Sequence, residues 1–588
     1  MAKKSIMTRQ QKAFKMNALF LIEANNIDIE EAISRLFVFL RTNGRQITRT
    51  DKPIFTSDTE DAETPQAVVR ALAASNGHQL QGIDDVDRQA LIAAWLEDHF
   101  ALVSRKGNTR GGPYRMSGLR PLHFNVIKLF NPQVRSQDRF LGEFLFNVLR
   151  DEPVLYTNSD SLLKKFFGLG VQFYGDNDLR IDEAKLMELA RENRLDIELL
   201  FLLRLTEPFP VDKCSLRKED HVAPYSFICP EQIELLRKDL QLLFLYKEHV
   251  PRRELINYMT TLMVFHTALY FFQTVKNANH AVSTGKLPPS RGTVPGPGEG
   301  RTHVPFDLNL FCDLTSGHDD VVKGLAETSY NDLFKEVEQY FRSGYYLKKL
   351  EEFAASYLDQ KQKEQTGRDY IQLLLDGFRK HEDLNGFFAH QVSAVLLAAK
   401  DDDDEDNTLD TDIKRIVDVA NQRKLNKLET FVEILLYLQY GNLRHKHRKL
   451  VGGLCRIDQD SGFLAGKGRA KRRFVLGNEL LEVLIQLAVL HRRDNDGKFE
   501  TRPVPIRDFV DWLAGRYGLL VDQLSINDER TESESVNRAL ATNYTALKTR
   551  LRQLGFFTDL ADASNSQVIA PRFEITHGEL AEAGAQLS

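Results

Sequence analysis

Cysteine is scarce and unpaired in this chain: Cys214, Cys229, Cys312 and Cys455 are the only four in 588 residues, and no CxxC doublet occurs. A disulfide framework and a thiolate zinc site both need closely spaced pairs. Neither fits, and Cys214 and Cys229 flank His221 without ligand spacing. The thiols read as small buried groups in a reducing compartment, with the cytoplasm as the expected location. Catalytic signatures are missing too. There is no GxSxG elbow, HExxH helix, paired-glycine dinucleotide fingerprint or kinase signature set. The segment GFLAGKG lacks one residue between its glycines for a P-loop, and Gly468 stands where the hydroxyl should follow the lysine. No catalytic residue, metal or cofactor is expected, and the chain reads as non-enzymatic.

Charge of one sign is also lacking overall. A net charge of −5 does not draw the whole molecule to nucleic acid or to an acidic membrane, so any such binding has to come from local sorting of charge. Long apolar runs are rare. The one exception, LINYMTTLMVFHTALYFFQTV at Leu255–Val275, has no charged residue and enough length to span a bilayer. Its Asn, Thr, His and Gln residues, and the charged helical sequence around it, predict a helix buried in protein, with no membrane partner.

What is present is helical periodicity. The spacing predicts a mainly α, multidomain protein, with helices after Pro65 and over 84–104, 138–149, 159–167, 182–192, 230–246, 252–277, 319–361 and 368–399. Strands are expected to be few and concentrated near 306–314 and 557–575. Proline and glycine concentrate in STGKLPPSRGTVPGPGEGRTHVP, which marks a linker at 283–305. The run DDDDEDNTLDTD at 401–412 carries eight acids and no base and reads as a solvated loop. The expected organisation is a helical region over 1–282, a helical middle domain over 306–400, and a basic region over 413–588.

Within that last region charge is sorted. Residues 441–493 hold twelve Lys and Arg against four Asp and Glu. Lys467, Arg469, Lys471, Arg472 and Arg473 fall in a glycine-punctuated segment predicted to be a loop, suited to close approach to phosphates. A solvated loop paired with the acidic run is the plainer alternative. A second basic stretch over 104–139 suits either phosphates or a contact between domains.

From Phe474 to Ile575 the pattern fits a winged helix-turn-helix: three helices, the third over 536–554, then a hairpin turning at Ser564–Ser566. On the third helix Leu540, Tyr544, Leu547, Leu551 and Leu554 should face a core, leaving Asn543, Lys548, Thr549, Arg550 and Arg552 outward as a candidate major-groove surface. Winged helices also dock proteins, so this pattern leaves both uses open.

The stretches FLAGKGRAKRRFVLGNELLEVLIQLAVL and LKTRLRQLGFFTDLADASNSQVIAPRF resemble accessory proteins of multigene bacterial anti-phage defence loci, of the methylation-associated or phosphorothioation-dependent restriction kind. The resemblance covers the last quarter of the chain. It implies a non-enzymatic subunit working beside an ATPase, helicase or modification enzyme. Three readings follow: an accessory subunit that binds or senses double-stranded DNA; a scaffold whose winged helix docks a partner; and a divergent metal-dependent nuclease drawing on acids such as Asp307, Asp313 and Glu327.

Overall fold

The computed structural model describes residues 7–48, 65–76, 82–105, 114–129, 138–157, 161–174, 178–192, 196–207, 215–289, 306–400, 408–468, 470–493, 497–524, 533–557, 567–576 and 578. Helix makes up 63% of the structure, and strands are few and small. The most apolar segment lies at the centre. Helix Arg252–Thr284 is a 33-residue rod buried on nearly all sides; 89% of its most apolar window is inside the protein. Its polar residues are used there. His266 Nε2 and Asp239 Oδ2 are 2.9 Å apart, Thr267 donates back to the Met263 carbonyl, and Gln273 Nε2 donates to Asn277 Oδ1. A buried polar group without a partner costs about 1 to 3 kcal/mol, so these pairings make a protein-buried location tenable.

Against this rod pack Pro230–Leu243, the 35-residue helix Asp320–Ala354, the basic helix Lys427–Leu454 and Asn478–Ala488. One apolar core runs through them from Met7 to Ile575. Aromatic edges interlock in it: Phe14 meets Tyr340, Tyr345 and His447 in near-perpendicular contacts at 5.0–5.6 Å. The C-terminal part is tied in by charge. The fully buried Asp239 carboxylate accepts from Tyr517 Oη at 2.7 Å and from the Arg516 guanidinium, in addition to its contact with His266. Burial alone would raise the Asp239 pKa, but Arg516 and His266 outweigh it and hold the carboxyl below its usual range.

Several expectations change at their edges. The helix expected over 84–104 ends at His99, and Ala101–Arg105 pairs antiparallel with Tyr114–Leu119. The second basic stretch thus begins on a hairpin, whose tip lies outside the described residues. The helix expected over 319–361 breaks after Ala354, and the one over 368–399 divides into Gly367–Phe378 and Leu384–Lys400. Of the acidic run, 401–407 lies outside the described residues, while the remainder opens helix Thr408–Gln422. Residues 290–305 of the proline-rich segment are likewise outside.

The C-terminal elements come in the order helix Asn478–Ala488, hairpin Leu490–Arg492 with Phe499–Thr501, strand Val504–Pro505, helix Ile506–Tyr517, helix Glu534–Gln553 and strand Val568–Ile569. The expected terminal hairpin is not formed among the described residues. Phe556 and Phe557 are not in strand, and Val568–Ile569 pairs antiparallel with Val504–Pro505. A second short pairing, Leu519–Leu520 parallel to Leu310–Phe311, joins this region to a segment some two hundred residues earlier.

Candidate nucleic-acid interface

The basic segment forms a short antiparallel hairpin. Leu464–Ala465 pairs with Arg473–Phe474, so Arg473 lies on a strand and Lys467, Lys471 and Arg472 lie between the strands. Glycine makes the turn possible. Gly466 has φ +105°, and a Cβ there would lie 2.3 Å from the Lys471 carbonyl oxygen, inside any real contact. Asp458 fixes the near limb, its carboxylate accepting from the backbone N–H of Gly466 (2.9 Å) and Lys467 (2.8 Å).

The four described cations of this segment divide into two kinds. Arg473 is a strut: its Nε donates to Asp313 Oδ2 at 2.8 Å, and Asp313 is fully buried. Arg472 lies across Gly452 of the basic helix, with Nη1 donating to the Arg448 carbonyl (2.8 Å) and to Tyr330 Oη (3.2 Å). Lys467 and Lys471 point outward. Lys471 is 80% exposed and stands 3.6 Å from Glu327, a solvent-screened contact of little energetic weight. Arg469 lies outside the described residues. Beside the hairpin, the basic helix exposes His445, Arg448 and Lys449, whereas Arg444 pairs with Glu338 at 2.6 Å and His447 is buried. The exposed patch is therefore Lys467, Lys471, Arg448 and Lys449.

The third C-terminal helix, Glu534–Gln553, meets half of its expectation. Leu540, Leu547 and Leu551 are buried, and Tyr544 and Leu554 partly so. Asn543, expected outward, is completely buried. Its Oδ1 accepts from the Leu314 N–H (2.8 Å), and its Nδ2 donates to the carbonyls of Cys312 (2.8 Å) and Val521 (2.7 Å). Arg550 is turned inward as well, donating to the Leu476 carbonyl and to Ser316 Oγ, and burial lowers its pKa. Both corrections have one cause: the helix packs against Asp320–Ala354 and the turn 312–316, so a second face is covered beyond the leucine stripe. Lys548 lies over the Tyr544 ring at 4.6 Å and Arg552 over Phe557 at 5.6 Å. The exposed positions include Arg538 and the threonines Thr542, Thr545 and Thr549, whose hydroxyls donate to carbonyls one turn back.

The residues missed from sequence are those that hold the two halves together. Asp313 accepts from Arg473 and from the Thr315 N–H and Oγ1, while its own N–H donates to the Phe474 carbonyl. The turn 312–316 thus grips the hairpin base through Asp313 and the terminal helix through Leu314 and Ser316. Asp313 and Glu327, considered above as metal ligands, are paired with cations instead. Among the described residues no three His, Cys, Asp or Glu side chains gather as a metal-binding group. Cys229, Cys312 and Cys455 are free and buried, and Cys214 lies outside the described residues.

The sequence profile of the methylation-associated defense system protein MAD7 family matches residues 9–573. The chain belongs to that family. The match extends the resemblance from the last quarter of the chain to nearly all of it, including the central rod and the N-terminal helices that pack on it. Comparison with curated proteins and with solved structures gives no match. Membership in the MAD7 family makes the chain a component of a defence system.

Proposed function

We propose that this protein is a non-catalytic, cytoplasmic DNA-binding subunit of its defence system, contacting duplex phosphates through the hairpin at 464–474. The observation that carries this reading is the division of labour among the hairpin's cations. Arg472 braces it against two helices and Arg473 against the turn 312–316, and Lys467 and Lys471 are left outward beside Arg448 and Lys449. A braced loop loses little conformational entropy when it meets a phosphate, and each phosphate neutralised releases counterions. Binding of this kind reads backbone rather than sequence. A winged-helix reading of the C-terminal elements is supported by their helix order and by the pairing of Val504–Pro505 with Val568–Ile569. With Asn543 and Arg550 turned inward, Lys548 and Arg552 are the cations of the expected set on that helix that remain to contribute to DNA. Other defence subunits, such as an ATPase or helicase, are the expected partners, and the C-terminal module is the candidate docking surface for one.

The test is fluorescence anisotropy of a labelled duplex against the whole chain over a salt series, since the continuous core leaves no fragment to excise. Replacing Lys467 and Lys471 by Ala together should lower the magnitude of the salt slope by about 1.8, about 0.9 per contact. Unchanged affinity and slope in a folded double variant would exclude the hairpin as the contact.

A further inference from the structure

Helices Asp320–Ala354, Thr408–Gln422 and Lys427–Leu454 line a shallow groove of about 610 Å³. Tyr437 and Tyr440, 47% and 42% exposed, share it with Leu436 and Ile416. The charged residues that line it are already occupied. Arg342 forks onto Glu433 through Nε (2.7 Å) and Nη2 (3.1 Å), and Lys335 reaches Asp332 at 2.8 Å. Glu338 accepts from Arg444 Nε at 2.6 Å. Both tyrosine rings are held in place: Tyr437 Oη donates to Asp412 Oδ2 at 2.6 Å, and the Tyr440 ring meets Phe341 edge-on at 5.9 Å.

This groove leads toward the basic hairpin. On helix Lys427–Leu454, Tyr437, Tyr440, Arg444 and Arg448 fall at i, i+3, i+7 and i+11, all exposed, and so form one stripe along a single face. Arg448 ends the stripe at the hairpin, where its carbonyl accepts from Arg472. At about 1.5 Å of rise per residue the tyrosines lie roughly 12 to 17 Å along the helix from Arg448. Stacked nucleotides of one strand repeat every ~3.4 Å, so that length takes about four or five of them. Two rings followed by two guanidiniums suit a chain with flat bases along one edge and anions along the other. Aromatic faces stack bases of any identity, and guanidinium groups meet phosphates. A paired duplex keeps its base faces inside the stack, so only an unpaired strand can offer them. A partner's amphipathic helix would need a hydrophobic groove along its whole apolar face, whereas half of this stripe is guanidinium.

We infer that this groove takes the unpaired strand of a duplex that ends in a single-stranded tail. Bases stack on Tyr437 and Tyr440, the connecting phosphates pass Arg444 and Arg448, and the duplex lies at the hairpin. The duplex end rests on the hairpin reading above; the stacking end does not. Fluorescence anisotropy with the whole chain compares one labelled duplex, blunt or carrying an oligo(dT) tail of about eight nucleotides at its 3′ or 5′ end, a length within the site sizes of single-strand grooves. At least one tailed duplex should bind at least tenfold tighter than the blunt one. Tyr437→Ala with Tyr440→Ala should abolish that gain and leave blunt-duplex affinity unchanged. Phe at both positions should keep it, because stacking uses the ring. Lys467→Ala with Lys471→Ala should do the reverse, weakening the blunt duplex while preserving the gain from the tail, so failure of either reading shows separately. If the alanine variants fail to fold, 5-iododeoxyuridine placed in the tail and irradiated on the unaltered protein should crosslink to Tyr437 or Tyr440. The inference is overturned if blunt and tailed duplexes bind alike, which would leave the groove to a partner protein. It is equally overturned if the folded alanine variant keeps the gain, if the Phe variant loses it, or if the crosslinks map outside this groove.

Discussion

Asn543 offers the sharpest check on how the C-terminal helix is held. Asn543→Ala removes three hydrogen bonds at once and leaves the Leu314 N–H and the carbonyls of Cys312 and Val521 without the side chain that met them. A net hydrogen bond is worth about 0.5 to 1.5 kcal/mol, and a buried group left unpaired costs about 1 to 3 kcal/mol. Water entering the vacated space recovers part of this, so the expected loss is about 3 to 4 kcal/mol. Asn543→Asp should be at least as damaging, because a carboxylate would face two carbonyl oxygens. Urea denaturation followed by tryptophan fluorescence suits the measurement. The chain has two tryptophans, and in a Trp95→Phe background the signal comes from Trp512, edge-on to Tyr517 at 5.3 Å in the helix beneath the module. A loss under 1 kcal/mol, or reduced DNA affinity in a variant of unchanged stability, would refute the buried-strut assignment and return Asn543 to the surface.

Leu547→Ala should cost about 2 to 5 kcal/mol, since Leu547 is fully buried in the main core, and a midpoint shift in the same assay checks it. Stability should also fall in acid through His447. Burial among Phe14, Tyr340 and Phe341 lowers its pKa from 6.5 to about 4, so the unfolded chain takes up the proton first as pH falls. The contribution is complete above pH 6.5 and is lost progressively down to pH 4, by about 3 kcal/mol. His447→Phe should flatten that part of the stability profile in denaturation series at pH 7 and pH 4.5; an unaltered profile counts against it. His123, lowered to about 3 by burial, leaves a residual dependence of the same sign in that variant.

Local pattern carried much of the architecture. Helical spacing and the polar residues of Leu255–Val275 predict the buried rod, and the glycines at 466 and 468 predict that the cations near them are not helical. What periodicity could not convey is pairing at long range. The leucine stripe of Glu534–Gln553 defines one buried face, but Asn543 is buried on another, against a turn 229 residues earlier that no local spacing encodes. Arg472 and Arg473 look identical to Lys467 and Lys471 in a charge count. Only the positions of Tyr330, Arg448 and Asp313 separate braces from outward cations. The end of helix Val86–His99 is obscured because ALVSR is short, and its strand partner begins only at Tyr114.

The turn 312–316 also imposes an order on synthesis. It leaves the ribosome long before Arg473, Asn543 and Arg550, so through much of translation the Asp313 carboxylate and the Leu314 amide must remain hydrated or borrowed by other partners. Helix Glu534–Gln553 therefore closes this seam late in synthesis. A nascent chain stalled before residue 543 would leave the Leu314 amide and the carbonyls of Cys312 and Val521 without the side chain that meets them.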